Sequence, residues 1–501
     1  MPIVTPSLLL DHLRCVHKVW RDKYGPRAEF EAEANPFLRL LWDKGIQHEA
    51  DIIRGFGFDY VDCSRGSEME RIARTNMALS DRAEYIYQGI LAHGNLFGIP
   101  DLLHFIDGEY VPIEIKSGAA GDGGDDAGSV GKPKKEYGVQ LALYVDLLNR
   151  KGLNSSRQAF VIDKTGERVK YDLNVPLGVR TPETMWELYQ RIRNDVEAAL
   201  RDELRTDPAN CGSCGNCGWY ASCKKWLIEN DDLTQLVEVG RPKRDVIRND
   251  LGSGRIADLL NLDVRSILER KKLDKSFIKG VGESLLTKMI TRGQLFKTGG
   301  RPVFYEKIDL PDVANELFFD IETDPTQDFV YLHGFWQRSA EAEKFVHFTA
   351  KEITQEHERD VWKRSLDFMR SFDPDNVAIY YYGSFERTTY RQLQKRYPDI
   401  ISIDDLEEFF ARPSMINLYD DYIKSKSDWP LGSYGIKAIA QYLGFKWRDE
   451  TPSGALSIQW FNDYLATTDQ ALLDRVLEYN EDDCKATMVV KDYLKQRMDE
   501  M

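Results

Sequence analysis

The Asp107-Gly108 dipeptide does most to narrow what this chain can fold into. It sits inside Gly98-Ile-Pro-Asp-Leu-Leu-His-Phe-Ile-Asp-Gly-Glu-Tyr-Val-Pro-Ile-Glu-Ile-Lys116. An Asp-Gly pair between apolar runs is a strong signal for a two-residue β-hairpin turn, because both turn positions need positive φ. Counting outward from that turn pairs Ile106 with Glu109 and Asp101 with Glu114. Directly opposed residues share a face, with Cβ atoms about 5 Å apart. Lys116 lies two residues beyond Glu114 and shares that face. Ile113 and Ile115 face the other way, into a core. Two carboxylates held together repel unless a cation lies between them. Hard oxygen ligands of this kind suit Mg²⁺ or Mn²⁺. Such an ion lowers the pKa of a bound water, and a lysine beside it can help activate that water or neutralise phosphate charge. A surface hairpin with a Glu114–Lys116 ion pair would show the same pattern, so the hairpin alone leaves both readings open.

At 501 residues the chain is too long for one ordinary core, so two or three domains are expected. Residues 1–230 mix helical and strand patterns and end in a cysteine cluster. Residues 231–300 are helical and Gly-punctuated. Residues 301–501 open on an apolar strand and then alternate strands and helices, which predicts an α/β sheet domain. The Gly- and Asp-rich stretch from Gly118 to Lys135 reads as a loop. The net charge of −15 argues against non-specific coating of a polyanion but not against a local binding patch. No stretch approaches the roughly 20 apolar residues of a membrane span. Nor does a basic segment precede the short apolar run near Met1, so no signal peptide is read and the cytoplasm is the expected compartment.

A second acidic pattern follows in Glu316-Leu-Phe-Phe-Asp-Ile-Glu322. On a strand, Asp320 and Glu322 project from one face while Phe319 and Ile321 bury on the other. Such a strand is costly unless the acids hold a cation. The stretch Asn376 to Glu386 predicts another strand running into a helix, with Glu386 near the helix start. Tyr479 and Asp483 lie one turn apart on a long helix expected from Thr468 to about Gln496. Four acids can bind two divalent ions for in-line phosphoryl hydrolysis, and the tyrosine can orient the attacking water.

Four of the seven cysteines fall in Cys211-x2-Cys214-x2-Cys217-x5-Cys223. In a reducing compartment that array reads as a metal site, with Zn²⁺ the simplest occupant. Cys63 and Cys484 belong to no motif and read as ordinary buried thiols. In the middle block, Lys279-Gly280-Val281-Gly282 forms a Gly-rich turn ahead of a helix, where exposed backbone N–H groups can hold a phosphate. A plain helical connector is the alternative. Arg241, Lys243 and Arg244 read as solvated surface.

Taken in order, His48, Gly-Ile-Pro-Asp101, Glu114-Ile-Lys116 and Gln140-x3-Tyr144 resemble RecB-like nucleases of the PD-(D/E)XK superfamily. That resemblance implies a restriction-endonuclease-like fold with His48, Asp101 and Glu114 as metal ligands and Lys116 as the catalytic lysine. Gln140 and Tyr144 would support the site or contact DNA. Cys15 far upstream, taken with Cys214, Cys217 and Cys223, resembles the iron–sulfur nucleases, which implies a 4Fe-4S cluster. Cys211 is then left over, and a local zinc knuckle using Cys211 in place of Cys15 is the rival. The segment Lys279–Gly282 resembles a helix-hairpin-helix module. Asp320, Glu322, Glu386, Tyr479 and Asp483 resemble DEDD exonucleases of the RNase H-like fold, in the branch with a Tyr-x3-Asp motif. That family usually has Asp where this chain has Glu386, although the YprB-like branch also carries glutamate there. The whole chain resembles a bacterial family of RecB-like nucleases with an iron–sulfur nuclease domain and a C-terminal RNase H-like domain. The implied activity is metal-dependent hydrolysis of DNA from single-stranded ends, with a helicase or a repair or defence complex as partner. A zinc-stapled, non-cutting nucleic-acid scaffold and an RNA-processing enzyme are the alternatives.

Overall fold

A computed structural model describes residues 2–31, 36–122, 132–178, 181–450 and 453–500. The chain divides into two compact units, Met1–Trp226 and Leu227–Met501. No helix among the described residues is long and apolar enough to cross a membrane.

The first unit is built on a mixed six-stranded sheet. Its strands, in spatial order, are Val61–Asp62, Tyr85–Tyr87, Leu102–Ile106, Glu109–Ile115, Gln158–Ile162 and Arg168–Asp172. The central hairpin turns at Asp107 and Gly108, whose φ values are 53° and 85°. Ile106 pairs with Glu109 and Leu102 with Ile113, the register that the turn dictates. Alternation then sorts the two faces. Ile113 and Ile115 join Leu102 and Ile162 in one small core, covered by Ile52, Ile53 and Phe56 at the end of the helix Pro36–Arg54. Tyr110, Val139 and Leu143 belong to the larger core on the opposite face. There the helix Lys135–Arg150 presents ten buried residues. The helices Pro6–Arg14 and Val16–Tyr24 add Leu9 and Val19 to the same core, beside Leu188 and Ile192 of Met185–Leu200. Of the loop expected from Gly118 to Lys135, residues 123–131 lie outside the described residues, while Gly121–Asp122 pairs antiparallel with Lys132–Pro133.

The second unit opens with helices that enclose a core of their own, including Leu233, Ile247, Ile256, Leu286 and Met289. A five-stranded sheet follows, ordered Glu343–Thr349, Phe329–Ser339, Asn315–Asp324, Val377–Tyr381 and Met415–Asn417. The first three are antiparallel and the last two add in parallel. The 30-residue helix Gln470–Asp499 packs across Asn315–Asp324 and Phe329–Ser339.

One surface expectation is corrected. Arg244 is fully buried. It lies three residues before Ile247 on the helix Arg241–Leu251, so both face inward. Its guanidinium donates to Asp232 at 2.9 Å and to Asp245 at 2.8 Å. Removing one partner of a buried ion pair leaves the other charged and unsatisfied, at roughly 3–5 kcal/mol. Arg244→Ala is therefore expected to lower the urea midpoint of the second unit strongly. A shift worth less than about 1 kcal/mol, the size of an exposed pair, would contradict the buried assignment.

Candidate functional site

At the N-terminal site the hairpin places Asp101 at the mouth of its strand and Glu114 inside the sheet, on the face toward Lys135–Arg150. The Asp101 carboxylate accepts the Ile115 amide at 2.7 Å. Lys116 donates to Glu114 at 2.5 Å. Gln140 donates to the same Glu114 oxygen at 3.0 Å and also to the Tyr144 hydroxyl at 3.0 Å. That hydroxyl donates to the Ile99 carbonyl at 3.2 Å. The predicted Asp101, Glu114, Lys116, Gln140 and Tyr144 thus form one connected group. Burial and the Glu114 carboxylate push the Asp101 carboxyl well above the usual carboxylate range. Burial opposes charge on Lys116, but Glu114 and Asp101 outweigh it and raise the ammonium pKa. Glu114 Oε1 is buried with no hydrogen-bond partner. Gly98 explains itself here: a Cβ at that position would lie 2.6 Å from the Tyr144 ring.

His48 is half-buried on its helix, and its Nε2 also has no hydrogen-bond partner. The structure does not draw it together with Asp101 and Glu114 into a compact ligand group. Among the described residues, the one set of three metal-ligating side chains within 4.8 Å of one another is Asp320, Glu322 and Asp483. Sequence reading missed Glu49, which adds to the repulsion at Asp101. Its carboxylate accepts from Tyr87 at 3.0 Å and Gln88 at 2.6 Å.

At the C-terminal site the acids come from three elements. Asp320 and Glu322 share a face of Asn315–Asp324, Asp483 comes from Gln470–Asp499, and Glu386 from the first turn of Phe385–Arg396. Burial, then Asp483, Glu322 and Glu386, push the Asp320 carboxyl far up. Burial and Asp483 push Glu322 up to about 8. Glu386 stands outside the compact triad, and burial pushes it up to about 8 as well. Its Oε2 has no hydrogen-bond partner. Three supports were not foreseen. Asn480 donates to Asp320 at 2.7 Å, the Trp447 indole to Asp483 at 2.7 Å, and Lys437 to the Tyr479 hydroxyl at 2.9 Å. Lys437 also opposes the crowded negative charge at Asp320, Glu322 and Asp483. Gly334, paired with Asp320 across the sheet, makes room for Asn480. A Cβ there would lie 1.7 Å from Asn480 Oδ1. Gly334→Ala is expected to displace Asn480 and lower cleavage at this site about 10- to 100-fold, the usual cost of losing a group that orients a metal ligand. Unchanged steady-state rates would refute that.

Cys15, Cys211, Cys214, Cys217 and Cys223 all line one cavity of about 710 Å³. Cys211 and Cys214 place their sulfurs 3.6 Å apart. Cys63 and Cys484 are buried elsewhere. In the middle segment Gly280 adopts φ 83°, and Gly282 caps the helix Glu283–Thr298. Lys279 is exposed beside them, whereas Lys271 is engaged, donating to the Phe277 and Ile278 carbonyls at 3.0 Å.

Residues 13–224 match the model of the PD-(D/E)XK nuclease superfamily, and residues 317–495 match that of the RNase H superfamily. The chain is a fusion of these two nuclease domains. No curated protein matches the fusion. Both parts are hydrolytic nuclease folds, so the fusion is a hydrolase of the nuclease type that binds nucleic acid. The matches take in the hairpin carboxylates at one end and all four C-terminal acids at the other.

Proposed function

We propose that the fusion hydrolyses phosphodiester bonds of DNA, working inward from single-stranded ends, with two catalytic sites that each need Mg²⁺ or Mn²⁺. The observation that carries this is the gathering of Asp320, Glu322 and Asp483 to within 4.8 Å. Three carboxylates crowded to that spacing are tolerable only with a proton or a divalent cation among them. A bound ion would polarise the phosphate and lower the pKa of the attacking water. Asp320, Glu322 and Asp483 would hold it, with Glu386 as the fourth acid outside that triad. Tyr479 orients the water, and Lys437 holds that hydroxyl in place. At the N-terminal site Asp101 and Glu114 would be the ligands, with the Ile115 carbonyl, and the ion would have to recruit His48 to complete the set. Lys116 is the catalytic lysine, while Gln140 and Tyr144 hold Glu114 or touch the strand. Lys279, Gly280 and Gly282 offer a phosphate contact. The cytoplasm, and a helicase or a repair or defence complex, are the compartment and partner this reading favours.

The donor set of the cysteine cavity fits a 4Fe-4S cluster on Cys15, Cys214, Cys217 and Cys223. A single zinc ion with Zn–S bonds of about 2.3 Å holds its sulfurs roughly 3.8 Å apart. The Cys211 and Cys214 sulfurs, 3.6 Å apart, stand near that spacing, so the zinc knuckle stays open beside the cluster. Anaerobically purified protein is expected to show broad visible absorption that Cys15→Ser abolishes. A colourless protein holding one zinc, indifferent to Cys15, would replace the cluster with the knuckle.

The deciding experiment for the whole reading uses the full chain on end-labelled single-stranded DNA and RNA, with Mg²⁺, Mn²⁺ or a chelator. Wild type, Lys116→Ala, Asp320→Ala and the double variant are compared. Cleavage that survives in the double variant, or in chelator, would make the fusion a scaffold contaminated by another nuclease.

A further inference from the structure

Beside the N-terminal site lies a set of rings that the chemistry above does not use. Phe58 and Tyr60 are 57% and 38% exposed. In an extended segment, residues two apart point the same way. Both rings here lean on one strand: Phe58 on Tyr85, with centroids 5.4 Å apart, and Tyr60 on Tyr87 at 5.7 Å. Behind Phe58 the pile continues, with Tyr85 stacked on His104 at 4.2 Å and 6°. Arg168 bonds to His104 Nδ1 at 3.0 Å and lies 3.9 Å from the Phe160 ring centroid. Arg168 is exposed at the edge of the pile. Behind Tyr60, the Tyr87 hydroxyl donates to Glu49, the carboxylate that acts on Asp101. The rings therefore run without a break from solvent to the edge of the carboxylate site.

Two outward aromatic rings on a rigid backing, with a cation at the edge, are what a single strand binds. Bases stack on the rings without regard to sequence, and the cation takes a phosphate. A duplex keeps its bases stacked on each other and has none free to offer. We propose that Phe58 and Tyr60 are a stacking platform for successive bases of a single-stranded nucleic acid, on the sheet face opposite Glu114, leading its backbone past Glu49 to Asp101 at the edge of the carboxylate site. The proposal rests on the nuclease reading of Asp101, Glu114 and Lys116.

The test uses the full chain in chelator, so that nothing is cut. Binding of fluorescent oligothymidylate is expected to weaken about tenfold in Phe58→Ala and in Tyr60→Ala, equal to about 1.4 kcal/mol each. Phe58→Trp and Tyr60→Phe should restore it. Both side chains are substantially exposed, so the thermal midpoint should hardly move. An oligonucleotide carrying one 5-iodouracil is then photo-crosslinked and the adduct mapped by mass spectrometry. An adduct on Phe58 or Tyr60 supports the platform. Adducts confined to other residues overturn it, even if affinity falls. The nuclease reading is scored separately, as Lys116-dependent cleavage in an Asp320→Asn background. If that dependence holds while the rings stay unlabelled, the platform alone is lost.

Discussion

Asp320→Asn is expected to lower cleavage at the C-terminal site about a thousandfold, measured in a Lys116→Ala background that silences the other site. A factor of that size is roughly 4 kcal/mol. It is the scale on which a metal stabilises transition-state charge, and Asp320 is the acid on which the rest converge. Its carboxylate feels Asp483, Glu322 and Glu386 together. Asparagine keeps the shape and a contact to Asn480 but removes the charge. The same change relieves like-charge crowding, so the metal-free variant should unfold at a higher temperature than wild type. A site built for chemistry is strained without its ion, and the variant separates the two effects. A variant that cuts normally would remove Asp320 from the machinery.

Metal-free protein is expected to lose stability in the second unit as pH rises from about 5 to about 8. The sign follows from Glu322 and Glu386, both pushed up to about 8, the first by burial and Asp483 and the second by burial. A carboxyl raised in the folded state binds its proton there more tightly than in the unfolded chain. Its folded form is therefore favoured below the ordinary carboxylate pKa, and that advantage fades as pH climbs through the folded value. The loss should be on the order of a few kcal/mol. Saturating Mn²⁺ binds the ionised acids and should flatten the profile, adding about 2.7 kcal/mol at a hundred times its Kd. Urea midpoints at several pH values, with and without Mn²⁺, measure both. A flat metal-free profile would mean that the two carboxyls titrate normally.

The hairpin was legible because its cause is local. Asp107-Gly108 sets the turn, the turn sets the register, and the register opposes Leu102 and Ile113, with residues 101 and 114 next in line. The paired acids of Asn315–Asp324 were legible through the period of two, and Tyr479 with Asp483 through the helical turn. Asn480 carried a readable signal, three residues before Asp483 on the same helix, but an amide among acids draws no notice. Lys437 and Trp447 carried none, since each arrives from a different element and only packing brings it to the acids. Glu49 was hidden beside His48, because the family pattern picked out the histidine and passed over its neighbour. Arg244 was misread because a charge in sequence does not reveal a buried partner. Cys15 stands 196 positions before Cys211, and only a family pattern linked them before the fold placed both in one cavity.

That last juxtaposition bears on how the protein is made. The two N-terminal helices share a core with Met185–Leu200, and Cys15 shares a wall with residues near position 220. A ribosome delivers the first partners long before the last. Contacts this distant in sequence form late, so the opening segment must wait, its apolar side partly uncovered, until Met185–Leu200 emerges. Truncated nascent chains ending before Met185 should bind chaperones, and those that extend past Leu200 should release them.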